Sequence, residues 1–260
     1  MIKTFSVNSI DEYIGKIREL RKDNATLWFR GHSDSDYKLM PSLYRTPYAK
    51  SDERQFMGKF KSKAIRFVHE SMSDDRDASF FQWLFVMQHY GTPTRLLDWS
   101  QNALTALAFA TQYRNDKSIG KSADVWCLNP IKLNEQIRYA EYDTDPIPNI
   151  CEVTTLQRMY CTGARKPKNP MPVAIAGIHS TDRIIAQNGT FCLFPDTDPF
   201  AMEDLPDANN YLYRIILNSA CIEEMSQDLY YIGISETTLF PELESISKEI
   251  RREYHRGLKP

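Results

Sequence analysis

The stretch Met87-Gln88-His89-Tyr90-Gly91-Thr92-Pro93-Thr94-Arg95-Leu96-Leu97-Asp98-Trp99-Ser100 sets an imidazole, a phenol, a guanidinium, a carboxylate and three hydroxyls between the end of one helix and the start of another. Polar groups at that density are hard to justify as core packing. If Thr94 to Trp99 is a strand, Arg95 and Leu97 face one side and Leu96 and Asp98 the other. Arg95 and Asp98 then need not pair. The run that follows, Asn102 to Thr111 (NALTALAFAT), is a short Ala-rich helix whose small side chains allow close packing on a sheet, with Ser100 as its cap. Asp98 has two readings, an acceptor for the first amides of that helix or a catalytic carboxylate. His89, at the preceding helix end, is either a capping and packing residue or a chemical group.

Outward from this segment, Ser9 and Glu12 form a capping box, and Ile10, Tyr13, Ile14, Ile17 and Leu20 repeat at helical spacing, which predicts a helix over 9–22. Thr26 to Arg30 is β-prone and stops at Gly31, and Tyr37 to Tyr44 is extended. From Ser51 to about Met72, Phe56, Phe60, Ala64 and Phe67 share one helical stripe; a second aromatic-rich helix ends near Gly91. Ala123 to Leu128, Val173 to Gly177, Thr190 to Phe194 and Tyr211 to Leu217 read as strands. Ser219 to about Leu229 and a basic segment over 241–256 read as helices, while Tyr142 to Pro172 and Pro195 to Asn210 read as loops. No repeat, low-complexity tract or linker divides the chain. The expectation is one α+β domain over 1–260, a mixed or antiparallel sheet core flanked by helices.

With 32 Lys+Arg against 34 Asp+Glu in 260 residues, a formal charge of -2 excludes binding of nucleic acid or anionic membrane by overall charge. A local patch would have to do it. No apolar run approaches a bilayer span, the N-terminus is neither signal peptide nor anchor, and no membrane partner is expected. Five cysteines without a CxxC pair point to a reduced cytoplasm and to no metal site. P-loop, GxGxxG, HExxH and GxSxG patterns are missing from the sequence.

Three further places could carry chemistry. Arg30 precedes Gly31 at a strand end, where a ligand can approach the backbone; its guanidinium can fork onto phosphate or carboxylate, or simply pair with an internal acid. Gln187 stands before the turn Asn188-Gly189 in RIIAQNGTFCLF, a hairpin-like signal, with an amide able to meet a sugar hydroxyl. Tyr44 to Glu70 carries a surplus of four positive charges, and Lys59, Lys63 and Arg66 share an edge beside the Phe stripe. That edge is a solvated face over a core, or a polyanion groove shared with Lys248, Arg251, Arg252 and Arg256.

These residues resemble the FRG domain family, named for a Phe-Arg-Gly signature that stands here as Phe29-Arg30-Gly31. Gln88 to Ala110, Arg183 to Pro195 and Gly233 to Ile246 look like its other motifs, so the resemblance runs from about 27 to 246. The motif order is also similar to that of ADP-ribosyltransferases, in which three distant segments surround NAD. The FRG family resemblance implies a bacterial, toxin-like protein of antiviral defence, and the second likeness implies an enzyme with NAD as substrate. It would modify a macromolecule, RNA or DNA included, with a neutralising antitoxin as partner. By it Arg30 would hold the NAD pyrophosphate or adenosine ribose, with Gly31 and Thr94 beside the cofactor. His89 and Tyr90 would bind or stack the dinucleotide, and Arg95 and Asp98 would complete the pocket. Gln187 would stand where many such enzymes carry a catalytic Glu, leaving Asp98 or Glu236 to supply a carboxylate. The competing readings are a non-catalytic nucleotide or nucleic-acid sensor and an NAD glycohydrolase using His89 and Asp98.

Overall fold

Seven strands join one mixed sheet in a computed structural model that describes residues 1–45, 47–48, 52–68, 76–137, 145–149, 151, 154–161, 171–177 and 181–255. They are β1 (Lys3–Val7), β2 (Trp28–His32), β3 (Leu96–Ser100), β4 (Ala123–Leu128), β5 (Val173–Ile175), β6 (Gly189–Leu193) and β7 (Leu212–Leu217), in spatial order β1-β7-β4-β2-β3-β6-β5. β1 runs parallel to β7 and every other neighbour is antiparallel. The α+β class expected from the sequence is the class found. β1 was hidden from sequence reading because Lys-Thr-Phe-Ser-Val is too short and polar to announce a strand.

The helices are α1 (Ile10–Arg21), α2 (Asp52–Val68), α3 (Arg76–His89), α4 (Ala103–Thr111), α5 (Pro130–Gln136), α6 (Thr154–Tyr160), α7 (Asp182–Ala186), α8 (Ile222–Tyr231), α9 (Glu236–Leu239) and α10 (Leu243–His255). The Ser9 Oγ accepts from the Glu12 amide at 3.2 Å, and the Glu12 carboxylate reaches back to the Asn8 amide at 2.7 Å, one residue earlier than a simple capping box predicts. Tyr13, Ile17 and Leu20 then face the core. Sequence reading gave Tyr142 to Pro172 as loop, yet α6 lies within it; the rest of that stretch is described only at 145–149, 151, 161 and 171–172. Tyr37 to Tyr44 ends in a 3₁₀ turn, Ser42–Tyr44, and the expected Ser219 helix begins with another, Ser219–Cys221. Ser51, residues 69–72 of the predicted second helix and Arg256 fall outside the described residues.

Directly opposed residues of an antiparallel pair point to one face, so Phe29, Ser100, Asp98 and Leu96 share a face. That face carries two separate helix-covered cores. One packs α1, α4 and α8 on β1, β7, β4 and β2 through Tyr13, Leu107, Val125, Ile215 and Met225. The other packs α3 and α6 on β3, β6 and β5 through Leu84, Leu96, Leu156, Phe191 and Leu193. The opposite face, with Trp28, Leu97, Trp99, Trp126 and Phe194, is closed by Leu39, Leu43, Tyr44, Met202 and Tyr211 from coil and 3₁₀ turns and by Leu133 of α5.

Two expectations are corrected at β3. Neither Ser100 nor Asp98 caps α4: Asn102 does, its Oδ1 accepting from the Leu104 amide at 2.9 Å and the Thr105 amide at 3.3 Å. Asx side chains two to three residues from the amides they meet have the right reach, and Asp98 is too far upstream. Arg95 does not line a pocket. It is 0% exposed, its Nε donates to the Glu53 carboxylate at 2.8 Å, and its other nitrogens donate to the Phe194 and Tyr160 carbonyls at 2.9 Å. Burial alone would lower the Arg95 pKa; the Glu53 charge outweighs it and raises it. No helix among the described residues is long and apolar enough to cross a membrane.

Removing one member of such a pair leaves the other charged and unmatched in the core, which costs about 3–5 kcal/mol. Glu53→Ala is therefore expected to lower unfolding stability by about that amount in urea titration. A loss below about 1 kcal/mol would mean that water reaches Arg95.

Candidate functional site

The two halves of the sheet meet at a single residue pair, Phe29 with Ser100. Beyond it β2 and β3 diverge. Alternation along β3 points the carbonyls of Arg95, Leu97 and Trp99 at β6, as the bond from the Phe194 amide to the Arg95 carbonyl shows, and those of Leu96, Asp98 and Ser100 at β2. Asp98 therefore turns its carbonyl toward a strand that has moved away. Arg30 fills the place of the missing ladder donor, its Nη1 donating to the Asp98 carbonyl at 2.6 Å.

On the helical face a cavity of about 260 Å³ opens over this divergence, between α4 on one side and α3 and α7 on the other. Arg30, Gln88, His89, Asp98, Arg183 and Gln187 are among its polar lining, with Ser100 and Thr190, and Phe29, Phe85, Phe109 and Phe191 supply apolar walls. Four residues singled out from sequence as catalytic, Arg30, His89, Asp98 and Gln187, thus meet at one cavity although about 150 residues of chain separate the first from the last. Gly31 also lines it, but the close approach it permits is to a helix: a Cβ there would lie 1.9 Å from the Ala106 carbonyl oxygen. The small side chains of α4 and the bare Gly31 together let that helix lie on β2.

The Asp98 carboxylate is 55% exposed and is held from two sides. Gln88 Nε2 donates to its two oxygens at 2.9 and 2.8 Å, and Arg30 Nη1 stands 3.8 Å from Oδ2. Gln88 is oriented in turn by Thr94, whose hydroxyl donates to Gln88 Oε1 and accepts from the Leu96 amide. Thr94 is buried and lies behind Gln88, so it acts on the cavity by fixing that amide and does not touch a ligand. Sequence reading missed Gln88, which stands in the motif but carries no charge to mark it.

Behind Arg30 lies a second set that sequence reading also missed. Arg30 Nε donates to His32 Nε2 at 3.2 Å, His32 Nδ1 is 3.3 Å from the Asp124 carboxylate, and Asp124 takes Arg214 Nε at 2.7 Å and Nη2 at 2.6 Å. Accepting at Nε2 requires the His32 proton to sit on Nδ1, facing Asp124. Burial lowers the His32 pKa, Asp124 opposes this, and the Arg30 charge adds to the lowering. Burial also brings the Arg30 guanidinium down to about 10, which leaves it charged at neutral pH. Its Nη2 has no hydrogen-bond partner among the described residues.

α3 ends in a Schellman turn: the Thr92 amide donates to the Met87 carbonyl at 2.9 Å, the Gly91 amide to the Gln88 carbonyl at 3.1 Å, and Gly91 has a φ of +73°. The backbone closes this end, so His89 is not a capping side chain. Its ring lines the cavity, with Nδ1 3.4 Å from the Thr181 hydroxyl, and its pKa is lowered by burial and then by Arg183. Tyr90, one residue on, is 70% exposed and lies outside the cavity, which corrects its expected place against a dinucleotide. A helical step of about 100° is enough to turn neighbouring side chains to different sides.

Gln187 ends α7 where a hairpin was expected. Asn188, at a φ of +46°, leads into β6, and the Gln187 amide donates to the Leu239 carbonyl at 3.0 Å. Ser100 Oγ donates to the Gln187 backbone carbonyl at 2.6 Å, tying β3 to this turn. Arg183, one turn earlier, lies over the Phe240 ring at 4.5 Å. Glu236 is not among the cavity residues; it is buried on α9, 3.8 Å from Arg252.

Residues 25–118 match the model of the FRG domain family, a span that holds Phe29-Arg30-Gly31 and the whole of Gln88 to Ala110. The later segments, Arg183 to Pro195 and Gly233 to Ile246, lie beyond the matched residues. Searches of curated proteins and of solved structures find no match to the chain.

A histidine whose folded pKa is depressed supplies stability that is complete above its unfolded value, about 6.5, and is lost as pH falls toward the folded value. His32→Gln keeps an amide oxygen that can accept from Arg30 but cannot be protonated. The wild type is expected to lose more stability than this variant between about pH 7 and about pH 5 in urea titration. Parallel curves would place the acid sensitivity elsewhere.

Proposed function

From the premise that the chain carries an FRG domain, we propose that it is an ADP-ribosyltransferase that takes NAD in the cleft between β2 and β3 and transfers to a macromolecular acceptor. The observation that carries this reading is the convergence of a free guanidinium edge and a held carboxylate in one cleft, Arg30 and Asp98. Arg30 Nη2 and Arg183 are cations for the pyrophosphate, with Arg30 already fixed by His32 and the Asp98 carbonyl. The enclosed volume suits the nicotinamide and its ribose between Phe85, Phe109 and Phe191; the remainder of the dinucleotide extends through the mouth.

In the proposed step the bond between nicotinamide nitrogen and ribose C1′ breaks, its electron pair leaves with neutral nicotinamide, and positive charge develops on the ribose. Asp98 is the carboxylate that lines the cleft among the described residues, and Gln88 holds both of its oxygens in place. A fixed anion favours that charge as it forms. The acceptor nucleophile then bonds to C1′ and gives up its proton, for which His89, kept neutral by burial and Arg183, offers a ring nitrogen. Gln187, tied to Leu239, is a neutral hydrogen-bonding group for a ribose hydroxyl. Toxin-like use in defence, with an antitoxin partner, goes with this reading.

Nicotinamide release measured by mass spectrometry tests it. Asp98→Asn, which keeps the shape and loses the charge, is expected to slow release by about 10²–10³-fold while NAD binding persists. Arg30→Lys is expected to weaken NAD binding, since an ammonium cannot serve His32, the Asp98 carbonyl and a phosphate in one plane. Wild-type protein that binds NAD without releasing nicotinamide, with protein, RNA and DNA offered as acceptors, would make the domain a nucleotide sensor. Release without transfer would make it a glycohydrolase.

A further inference from the structure

Beside the cleft, the outer face of α2 and the end of α3 form an open groove lined by Phe56, Lys59, Phe60, Lys63, Phe67 and Tyr90, completed by Ala64 and Thr92. Its inner end belongs to the core, where Phe56, Phe60 and Ala64 pack on buried residues. Its outer end does not. Phe67 is 74% and Tyr90 70% exposed, so two aromatic rings stand in solvent beside two ammonium groups, and no carboxylate is among the groove residues described. Arg66 adds a third cation, its guanidinium stacked 4.6 Å from the Phe67 ring. Lys248 and Arg252, once expected to share a polyanion surface with these, pair with Glu244 and Glu236 and do not line the groove.

We propose that this groove binds single-stranded nucleic acid, with bases stacked on Phe67 and Tyr90 and phosphates met by Lys59, Lys63 and Arg66. The proposal rests on the transferase reading only for its consequence, that the bound strand is the acceptor. Lys59 and Lys63 are one helical turn apart, about 6 Å along the axis, and present successive cations to a backbone running along α2. Rings standing clear of the surface accept flat bases from solvent, and every base has such a face whatever its sequence. An acidic peptide would use the cations but not the two exposed ring faces, which a strand of bases uses together with them. Duplex hides its base faces and has no use for Phe67 and Tyr90. The location fits an acceptor: Tyr90 packs edge-on against His89 at 4.8 Å between ring centroids, and His89 lines the cleft.

The test is fluorescence anisotropy with labelled homothymidine and homouridine strands, a duplex of equal length and a polyglutamate peptide, without NAD. Single strands are expected to bind more tightly than duplex or peptide. Phe67→Ala and Tyr90→Ala should each weaken strand binding at least about fivefold. The Lys59→Ala, Lys63→Ala double variant should flatten the slope of log affinity against log salt by about 0.7 for each phosphate that is no longer neutralised. Equal affinity of all variants, or binding of peptide or duplex in preference to single strands, would overturn the proposal. Asp98→Asn separates the two readings, because it should bind the strands as the wild type does. Strand binding without nicotinamide release from the wild type would remove the transferase and leave the groove.

Discussion

Past Phe29 and Ser100 the ladder between β2 and β3 stops, and the Asp98 carbonyl faces a strand that has turned away. A strand carbonyl at such a seam needs a donor, and Arg30 provides it from a side chain in place of a backbone amide. The substitution opens a crevice where a closed sheet would have none. It also puts a positive charge on the floor of that crevice. His32, Asp124 and Arg214 hold the charge from behind, so the cleft's electrostatics and the sheet's continuity depend on the same guanidinium.

On the helical face two cores flank this seam, while the core of the opposite face spans both halves of the sheet. On one side α4 is drawn onto β2 by an approach so close that only glycine fits at position 31. On the other side Arg95, immediately before β3, is bonded to Glu53 of α2 and to the Phe194 and Tyr160 carbonyls, which fixes β3 to its own half. A buried pair of this kind contributes little net stability, yet breaking it by removing one partner is costly. Between these two anchored halves the cavity is the space that neither core fills.

Much of this was legible in the sequence because it is written in local pattern. The strand at Trp28, the helix over Ile10–Arg21, β4 and the Phe stripe of α2 all follow from periodicity and caps. Arg30, His89, Asp98 and Gln187 were marked by placing functional groups beside element ends, and all four reach the cleft. What failed was anything decided by a partner far away in the chain. Arg95 looked like a pocket residue because its partner, Glu53, lies 42 residues earlier. Asp98 and Ser100 looked like caps until Asn102 took that role. His32 and Asp124 gave no sign of a network, since the strand pairing that sets them side by side is not a local property. β1 is a strand only because β7 offers it an edge.

The end of α3 joins the cleft to the aromatic groove. Its backbone turn is closed by Gly91 and Thr92, without help from a side chain, so His89 and Tyr90 are both released from capping. One helical step then sends them apart, His89 into the cleft and Tyr90 to the groove, with their rings still edge to edge. The cleft and the groove are therefore lined by adjacent residues whose two rings meet edge to edge. Movement of Tyr90 on binding would press directly on His89, which the Thr181 hydroxyl steadies from the far side. In this arrangement a single turn of backbone sets the distance between the cleft and the groove, and a positive φ at Gly91 is the condition for it.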